Sequence, residues 1–445
     1  MIKSNPYYNY YNYKNEPYTT KFKAMISAFQ DRGYQNLDNC SLIDWSAPYF
    51  DIALSSVDTT IEPIDSIQNL YKKRAESLRN KYDYLILHYS GGADSHNILE
   101  TFMLNGIHLD EICIHYYSPD ENPTENIYKL CDHLDEVPKI AIPMAKFFIS
   151  EYSPTTKLTV KTNVRDSIIN FWKTLDAKDS FNKNLDIWLM RDPVRVYNIQ
   201  SYSDTPNFWK KLKERKKVAH IFGLEKPSLY VDEKGIYSTI SDSILNARQD
   251  STCQYDTDVL PYNVEYFYIH PEHMDLYIKA SHLLYNKISN INNLLLPIKK
   301  IDSDFFNFQS DTELENSIYK IKKFNDAGRD YQNLCAKVLY NQKYKLPFTS
   351  LKVGDYLFDS GFYRLPQNIK KIYHQTTSLG LVSNSPYNID YVLYSFITGN
   401  DSASSNFFKF LDLICYFFPN QSKYDILSTL RKNFSKKIYI KKVFK

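Results

Sequence analysis

The chain has 445 residues and a mass of 52.4 kDa, a length that predicts about two or three domains. Hydrophobic residues make up 43% and charged residues 24%, as expected for a globular protein with a sizeable core, while a Gly count of only 11 excludes collagen-like and glycine-loop-rich classes. Because 54 basic residues face 51 acidic ones, the formal charge of +3 does not by itself indicate a nucleic acid or an acidic membrane as partner.

Hydropathy and cysteine spacing both favour a cytoplasmic setting. No apolar run approaches the about 18 residues of a membrane span, and the first residues contain no apolar stretch of the signal-peptide kind. The six cysteines are scattered and form no C-x-x-C pair, so a zinc ribbon, an iron–sulfur cluster or a dithiol relay has no obvious ligands. We therefore expect a reduced, cytoplasmic protein with no membrane partner.

The first 17 residues are rich in Tyr and Asn. They predict a flexible or surface-draped arm, with a stacking platform for bases as the alternative. A helix is predicted over 63–81, since Pro63 suits a first helical turn and apolar residues recur there at helical spacing. We divide the chain into three regions, at 1–80, 81–300 and 301–445.

The next segment predicts a strand–loop–helix–strand unit of βαβ type. Residues 84–89 form a short apolar run of strand length, which suits a strand buried on both faces. After a turn at 90–95, apolar residues recur at helical spacing until Gly106, a good helix stop. Residues 111–117 predict a second strand, in which Cys113 is expected to be a core residue rather than a sulfur carrier.

The alternation of strands and helices continues and predicts an α/β fold, a parallel sheet with helices on both faces. The further elements are helices at 123–136 and 163–175 and strands at 139–144 and 218–222. Residues 228–240 predict a hairpin with its turn at Gly235, and an amphipathic helix follows Pro271. From about residue 300 onward the βαβ rhythm is absent, and we predict a mixed, mostly helical region.

The turn Ser90-Gly91-Gly92-Ala93-Asp94-Ser95 carries the most specific pattern in the chain. It contains the chain's single Gly-Gly pair, and hydrophobic pattern alone places it between a strand and a helix. Glycines let backbone N–H groups approach a phosphate, a helix N-terminus favours an anion, and the serines add hydroxyl donors. Asp94 would repel a bare phosphate, so its presence indicates a bound Mg²⁺ or a contact at the helix start. A plain structural turn is the alternative.

This hexapeptide resembles the pyrophosphate-binding loop, S-G-G-x-D-S, of the PP-loop ATP pyrophosphatases, a superfamily that includes asparagine synthetase. The resemblance covers about residues 82–225, and a stretch at 265–285 is similar to uncharacterised phage-borne PP-loop proteins. It implies a fold of the adenine nucleotide α-hydrolase type, with ATP and Mg²⁺ bound. It also implies a reaction in which a substrate oxygen attacks the α-phosphorus and pyrophosphate leaves, so that the adenylated carbon is open to a nucleophile.

The resemblance assigns roles to individual residues. The phosphate loop would comprise Ser90, Gly91, Gly92, Ala93, Asp94 and Ser95. Within it, Asp94 would be both a catalytic residue and a Mg²⁺ ligand. Adenine would lie near the end of the second strand, at Ile114 and His115. After the strand at 218–222, Lys226 would neutralise a phosphate as a catalytic residue and Glu225 would bind Mg²⁺; an ordinary solvated pair in a loop is the alternative.

The acceptor and the nucleophile are left open. Position 2 is Ile2 rather than the nucleophilic cysteine of the asparagine synthetase glutaminase, and the residues before the sheet are too few for that domain. An amide-forming enzyme would then use free ammonia, an amine or a separate partner as donor. Our first hypothesis is an adenylating ligase that activates a carboxyl or carbonyl-type oxygen. The second is a nucleic-acid modifying enzyme that adenylates a tRNA or DNA base, and the third is a non-catalytic nucleotide-binding protein.

Two basic clusters and one histidine group raise further alternatives. The clusters at 210–217 and 431–445 suit a solvated surface, which we favour, or a grip on a phosphate backbone. His270, His273 and His282 could suggest a metal, but Pro271 puts His270 outside the helix and the remaining spacing does not place ligands on one face. We therefore predict that these histidines are structural.

Overall fold

The computed structural model describes the larger part of the chain up to residue 289 and two segments near the C-terminus. The described residues are 8–32, 41–91, 93–115, 137, 141–161, 177, 210–211, 214, 216–223, 226–227, 229–232, 234–242, 262–289, 406–418, 421, 426, 429–430 and 434–442. The helices predicted at 123–136 and 163–175 lie outside these residues, as do Gly92 and Glu225. Within the described segments, each helix is too short or too polar to cross a membrane.

Strands and helices alternate through the middle of the chain. The strands are β1 (Tyr10–Tyr13), β2 (Glu16–Tyr18), β3 (Asp44–Ser46), β4 (Tyr84–His88), β5 (Glu111–His115), β6 (Lys157–Lys161), β7 (Val218–Phe222), β8 (Leu229–Asp232), β9 (Gly235–Ser241), β10 (Tyr262–Tyr266) and β11 (Ser435–Lys442). The helices are α1 (Lys21–Arg32), α2 (Pro48–Ser55), α3 (Ile67–Lys81), α4 (Ala93–Leu104), α5 (Ile142–Tyr152), α6 (Met274–Ser289) and α7 (Asn406–Phe417).

A five-stranded sheet in the order β10-β7-β4-β5-β6 lies at the centre, and every neighbouring pair in it is parallel. The chain starts in the middle at β4, moves outward through β5 and β6, and then crosses to β7 and β10 on the other side. All five residues of β4 are buried, in agreement with its continuous apolar run. This parallel sheet with helices confirms the predicted α/β class.

One face of the sheet shares an apolar core with four helices. Leu85 and Leu87 of β4 join Ile112 and Ile114 of β5 in this core, together with residues of α3, α4, α5 and α6. Each fully buried Leu or Ile side chain stabilises the fold by about 1.5–3 kcal/mol. On the opposite face, Ile86, Cys113 and His220 are also buried. Helices are therefore described on one of the two faces for which they were predicted.

The strand predicted at 139–144 is wrong where the structure describes it, because α5 begins at Ile142. Pro143 lies in the first turn of α5, where its missing N–H costs no hydrogen bond, whereas in a buried strand it would remove a ladder bond. The next strand of the sheet is β6, which the sequence analysis missed. Its residues are half-buried or exposed, as expected for an edge strand, and they form no apolar run.

The helix predicted over 63–81 begins later, at Ile67, and ends at Lys81 as predicted. Ser66 caps it, since its hydroxyl accepts a hydrogen bond from the Asn69 backbone N–H at 3.2 Å. Pro63 therefore precedes the helix rather than starting it.

Two small antiparallel sheets flank the central one. The predicted hairpin is confirmed as β8 and β9, with Asp232 paired to Gly235, and β11 adds a third strand that the sequence analysis did not assign. From Tyr10 onward the described part of the N-terminal arm is strand rather than flexible chain, because β1 pairs with β2 and β3. Tyr11 is fully buried and its hydroxyl donates to Asp242 at 2.8 Å, so this side chain cannot stack on a base.

Candidate functional site

The hexapeptide 90–95 lies at the carboxyl edge of the sheet, where β4 passes into α4. From β4 the chain adds strands on one side of the sheet, as β5 and β6, and later on the other side, as β7 and β10. The strand order therefore reverses between the neighbouring strands β4 and β7. Open α/β sheets bind their ligands outside the carboxyl ends of the strands at such a reversal, because the two adjacent loops diverge to opposite faces and leave a crevice. The loop is therefore in the position where this fold forms a binding site.

The backbone of the loop requires glycine at position 91. Gly91 has a φ of +82°, a left-handed conformation that costs a residue with a Cβ about 1–2 kcal/mol. A Cβ at Gly91 would also lie 2.9 Å from the Cβ of Ala141, at the start of α5. Both conditions let the chain turn sharply between the strand and the helix.

Two serines close the loop on itself. The Ser90 backbone N–H donates to Ser95 Oγ at 3.1 Å, and the two hydroxyl oxygens are also 3.1 Å apart. Ser90 is exposed whereas Ser95 is buried in the first turn of α4. Ser90 therefore lies at the solvent-exposed edge of the loop, beside the N-terminus of α4, whose dipole favours an anion.

The end of β7 packs directly against the start of α4. A Cβ at Gly223 would lie 2.9 Å from both the Asp94 carbonyl carbon and the Ser95 backbone nitrogen. These are main-chain atoms and cannot move aside cheaply, so only glycine allows this approach. The close contact brings the residues that follow β7 beside the hexapeptide.

Lys226 follows β7 and reaches the loop because of this close contact. Its Nζ lies 2.9 Å from Asp94 Oδ1, and 9% of its side chain is exposed against 42% for Asp94. The Lys226 ammonium also lies 5.1 Å from the centre of the Tyr268 ring, within cation–π range. The sequence analysis predicted that Lys226 and Asp94 share one site, and the structure brings them together.

Tyr268 is a residue of this site that the sequence analysis missed. It follows β10, is buried, and donates its hydroxyl hydrogen to the Asp94 carbonyl oxygen at 2.6 Å. Asn97 Nδ2 donates to the same hydroxyl at 3.0 Å. The ring therefore anchors the first turn of α4 from the β10 side. No local sequence signal distinguishes it from its aromatic neighbours Tyr266 and Phe267.

A buried histidine lies behind the loop. His96 is fully buried, and burial, with the Lys226 charge as a smaller cause, lowers its pKa to about 3. Its Nδ1 lies 3.3 Å from the Tyr89 hydroxyl oxygen. The imidazole is therefore neutral and adds no charge to the site, so Lys226 is the cation that faces Asp94.

The remaining predicted residues have different surroundings. Ile114 is fully buried in the apolar core, so its side chain is not available to an adenine ring, although its backbone lies near the sheet edge. His115 is the last residue of β5, and its Nε2 lies 3.2 Å from His88 Nδ1. The assignment of Ile114 and His115 to adenine stays a prediction. Glu225, the second predicted Mg²⁺ ligand, lies outside the described residues.

The histidine group near α6 does not converge on one point. His270 Nδ1 accepts a hydrogen bond from the Glu272 backbone N–H at 3.2 Å, and burial lowers the His270 pKa to about 2. His282 Nε2 donates to the Thr59 carbonyl oxygen at 3.0 Å. These hydrogen bonds tie His270 to the turn before α6 and His282 to the backbone at Thr59, and the prediction that the three histidines are structural stays a prediction.

The described site places positive potential and a carboxylate side by side. The N-terminus of α4 and the Lys226 ammonium provide positive potential, and the half-exposed Asp94 carboxylate provides an oxygen ligand of the kind that Mg²⁺ prefers. A magnesium-bound polyphosphate combines both charges.

Comparisons of the chain with family models, with curated proteins and with solved structures find no match. The resemblance to PP-loop enzymes therefore depends on the hexapeptide 90–95 and on its position at the edge of the sheet.

Proposed function

We propose that the chain is an ATP-dependent adenylating enzyme that binds Mg²⁺-ATP at residues 90–95 and releases pyrophosphate. The observation that carries the proposal is the placement of S-G-G-A-D-S at the strand-order reversal, with Lys226 Nζ 2.9 Å from Asp94 Oδ1. The alternative, a plain structural turn, would require neither a position at the strand-order reversal nor a lysine that follows another strand. The proposed setting is cytoplasmic.

The proposed chemistry follows from the charges at the loop. The oxygen of a carboxyl or carbonyl-type acceptor attacks the α-phosphorus, and the bond from that phosphorus to the bridging oxygen of pyrophosphate breaks. Negative charge grows on the leaving pyrophosphate, beside the α4 N-terminus and Lys226, which are already in place and need no reorganisation. Ammonia or an amine then attacks the acceptor carbon and loses a proton to solvent, and AMP leaves with the electrons of the broken carbon–oxygen bond.

Asp94 and Lys226 have different binding roles in this proposal. Asp94 would hold Mg²⁺ through its half-exposed carboxylate, and Lys226 would neutralise phosphate charge. Their present ion pair keeps the Lys226 charge at the loop before a nucleotide arrives. Ser90 and Ser95 would add hydroxyl donors at the rim of the site.

Some of the tail and arm residues that would bind a nucleic acid have partners within the fold. Lys436 is ion-paired with Asp51, and Lys441 Nζ donates to the Tyr285 hydroxyl at 2.8 Å. Tyr11 of the arm is buried. A small-molecule acceptor is therefore our first choice, and a tRNA or DNA base stays the alternative prediction.

The proposal is tested with ATP labelled at the α-phosphate, incubated with the full chain and Mg²⁺. We expect saturable binding and labelled AMP with pyrophosphate as products. Asp94→Asn and Lys226→Gln should each lower the rate of pyrophosphate release by about 10²–10³, the usual loss when a stabilising group is removed from developing charge. Release of ADP and phosphate, or failure to bind Mg²⁺-ATP, would refute the proposal.

Two control variants match these changes in chemistry. Asp275→Asn alters an acidic residue in the first turn of α6, as Asp94→Asn does in α4, and Lys216→Gln removes an exposed lysine. Both should retain wild-type rates. The protein could instead bind ATP and release no AMP in any mixture of carboxylates, amides and tRNA. That result would favour a non-catalytic nucleotide-binding protein.

A further inference from the structure

Three neighbouring strands each place a histidine on the same face of the sheet, opposite to the apolar core. These are His88 at the end of β4, His115 at the end of β5 and His220 in the middle of β7. Cys113 lies two residues before His115 and is the register partner of His88. Side chains two apart on a strand, and partners on adjacent parallel strands, point to the same side.

We propose that His88, Cys113 and His115 form a site for a zinc ion, separate from the Mg²⁺ that accompanies ATP. One ligand atom from each of the three residues lies within 4.8 Å of the other two. All three residues are largely or fully buried, so they form a built site rather than a chance surface cluster.

The separations of the ligand atoms match a tetrahedral zinc site. With Zn–N of about 2.0–2.1 Å and Zn–S of about 2.3 Å, tetrahedral angles put two nitrogens about 3.3 Å apart and a nitrogen about 3.6 Å from a sulfur. The structure has 3.2 Å between His88 Nδ1 and His115 Nε2, and 3.8 Å between Cys113 Sγ and His115 Nε2. These two separations are close to the tetrahedral values, and the ligand atoms of the third pair, His88 and Cys113, lie within 4.8 Å of each other.

His220 acts as a positioning residue for His88. Its Nδ1 lies 3.0 Å from His88 Nε2, so His88 can donate its Nε2 hydrogen there and leave Nδ1 unprotonated toward Cys113 and His115. Phe222 stacks on the His88 ring with centroids 4.2 Å apart and planes 8° apart. Metal-ligating histidines usually have such an outer partner, which fixes both tautomer and ring orientation.

The residue types also suit zinc, which takes cysteine thiolates and neutral imidazoles as ligands. Zinc would replace the proton of the Cys113 thiol, which leaves to solvent, and one thiolate with two imidazoles would leave a fourth position for water or another small ligand.

The test is a titration of the full chain, reduced and freed of metal by a chelator, with Co²⁺ as a spectroscopic substitute for zinc and with no ATP present. We expect one equivalent to give intense visible bands of a tetrahedral ion and a near-ultraviolet band from thiolate-to-cobalt charge transfer, both removed by Zn²⁺. A pale, six-coordinate spectrum without the charge-transfer band would overturn the proposal. Because ATP is absent, that failure would leave the adenylation proposal untouched.

Variants assign the signal to these residues. Cys113→Ser should remove the charge-transfer band, and His220→Phe should keep it while weakening the affinity about 10–100-fold, as is usual for an outer partner. Cys415→Ser changes another free cysteine of the described residues and should leave the titration unchanged. Retention of the band in Cys113→Ser would place the thiolate elsewhere in the chain and overturn the proposal.

Discussion

Replacing Gly91 with Ala tests the conformation that the phosphate loop needs. A left-handed residue with a Cβ costs about 1–2 kcal/mol, and forcing an extra methyl group into a packed region costs about 1–3 kcal/mol more. Gly91 incurs both costs, since its φ is +82° and its new Cβ would lie 2.9 Å from Ala141 Cβ. We therefore expect Gly91→Ala to lower the free energy of unfolding by about 2–5 kcal/mol.

Gly106 provides a matched control, because it separates the two costs. Its φ is +64°, but nothing lies within 4 Å of the position that a Cβ would occupy. Gly106→Ala should therefore cost only the conformational part, about 1–2 kcal/mol. Adding Ala141→Gly to Gly91→Ala removes the clashing methyl group and should recover about 1–3 kcal/mol, leaving the conformational cost in place.

Urea unfolding of the wild type and these variants measures the differences, with stability taken from the midpoint at constant slope. Mg²⁺-ATP affinity measured in parallel should fall for Gly91→Ala and not for Gly106→Ala. Two results would contradict this reasoning: a loss of stability for Gly91→Ala no larger than that for Gly106→Ala, or no recovery of stability on adding Ala141→Gly. Either result would mean that the loop backbone is not left-handed at Gly91 and packed against α5.

Three further predictions follow from single contacts. Tyr268→Phe removes the hydrogen bond to the Asp94 carbonyl oxygen and should cost about 1–3 kcal/mol in urea unfolding, with weaker Mg²⁺-ATP binding; unchanged stability would contradict this anchor. The pKa of His96 falls from its ordinary 6.5 to about 3, so below pH 6.5 the unfolded chain binds a proton that the folded chain does not. His96 should therefore contribute up to about 1.4 kcal/mol per pH unit to the loss of stability on acidification, and His96→Gln should reduce the measured slope by that one-proton share. A Cβ at Gly235, where φ is +145°, would lie 2.0 Å from the Lys441 carbonyl oxygen. Gly235→Ala should therefore lower the Tm measured by circular dichroism. An unchanged Tm would argue against the pairing of β9 with β11.

The central strands could be predicted because their burial leaves a local pattern. The strands predicted at 84–89, 111–117 and 218–222 are rich in apolar residues, and 84–88, 111–115 and 218–222 form strands of the parallel sheet. The edge strand β6 was missed, since edge positions are partly exposed and need no apolar run. The tail strand β11 was missed for a related reason, because only Ile438 and Ile440 among its alternating lysines are buried.

The three histidines in and beside the proposed zinc site had a signal in the sequence that was not used. His88, His115 and His220 each lie in a predicted strand, and a neutral histidine in a buried strand needs a partner for its ring nitrogens. The pattern does not reveal which strands are neighbours. Only the order β7-β4-β5 brings the three rings together.

The sequence alone determined the loop between β4 and α4, since glycine conformation, helix termini and apolar runs are properties of a few consecutive residues. Tertiary structure decided the strand order, the ion pair of Lys226 with Asp94 and the anchoring of the loop by Tyr268. Tyr268 and Asp94 are 174 positions apart, and contacts over such separations depend on how the sheet assembles. A short-range sequence pattern cannot predict such contacts, because the residues around Tyr268 and around Asp94 are compatible with many other pairings.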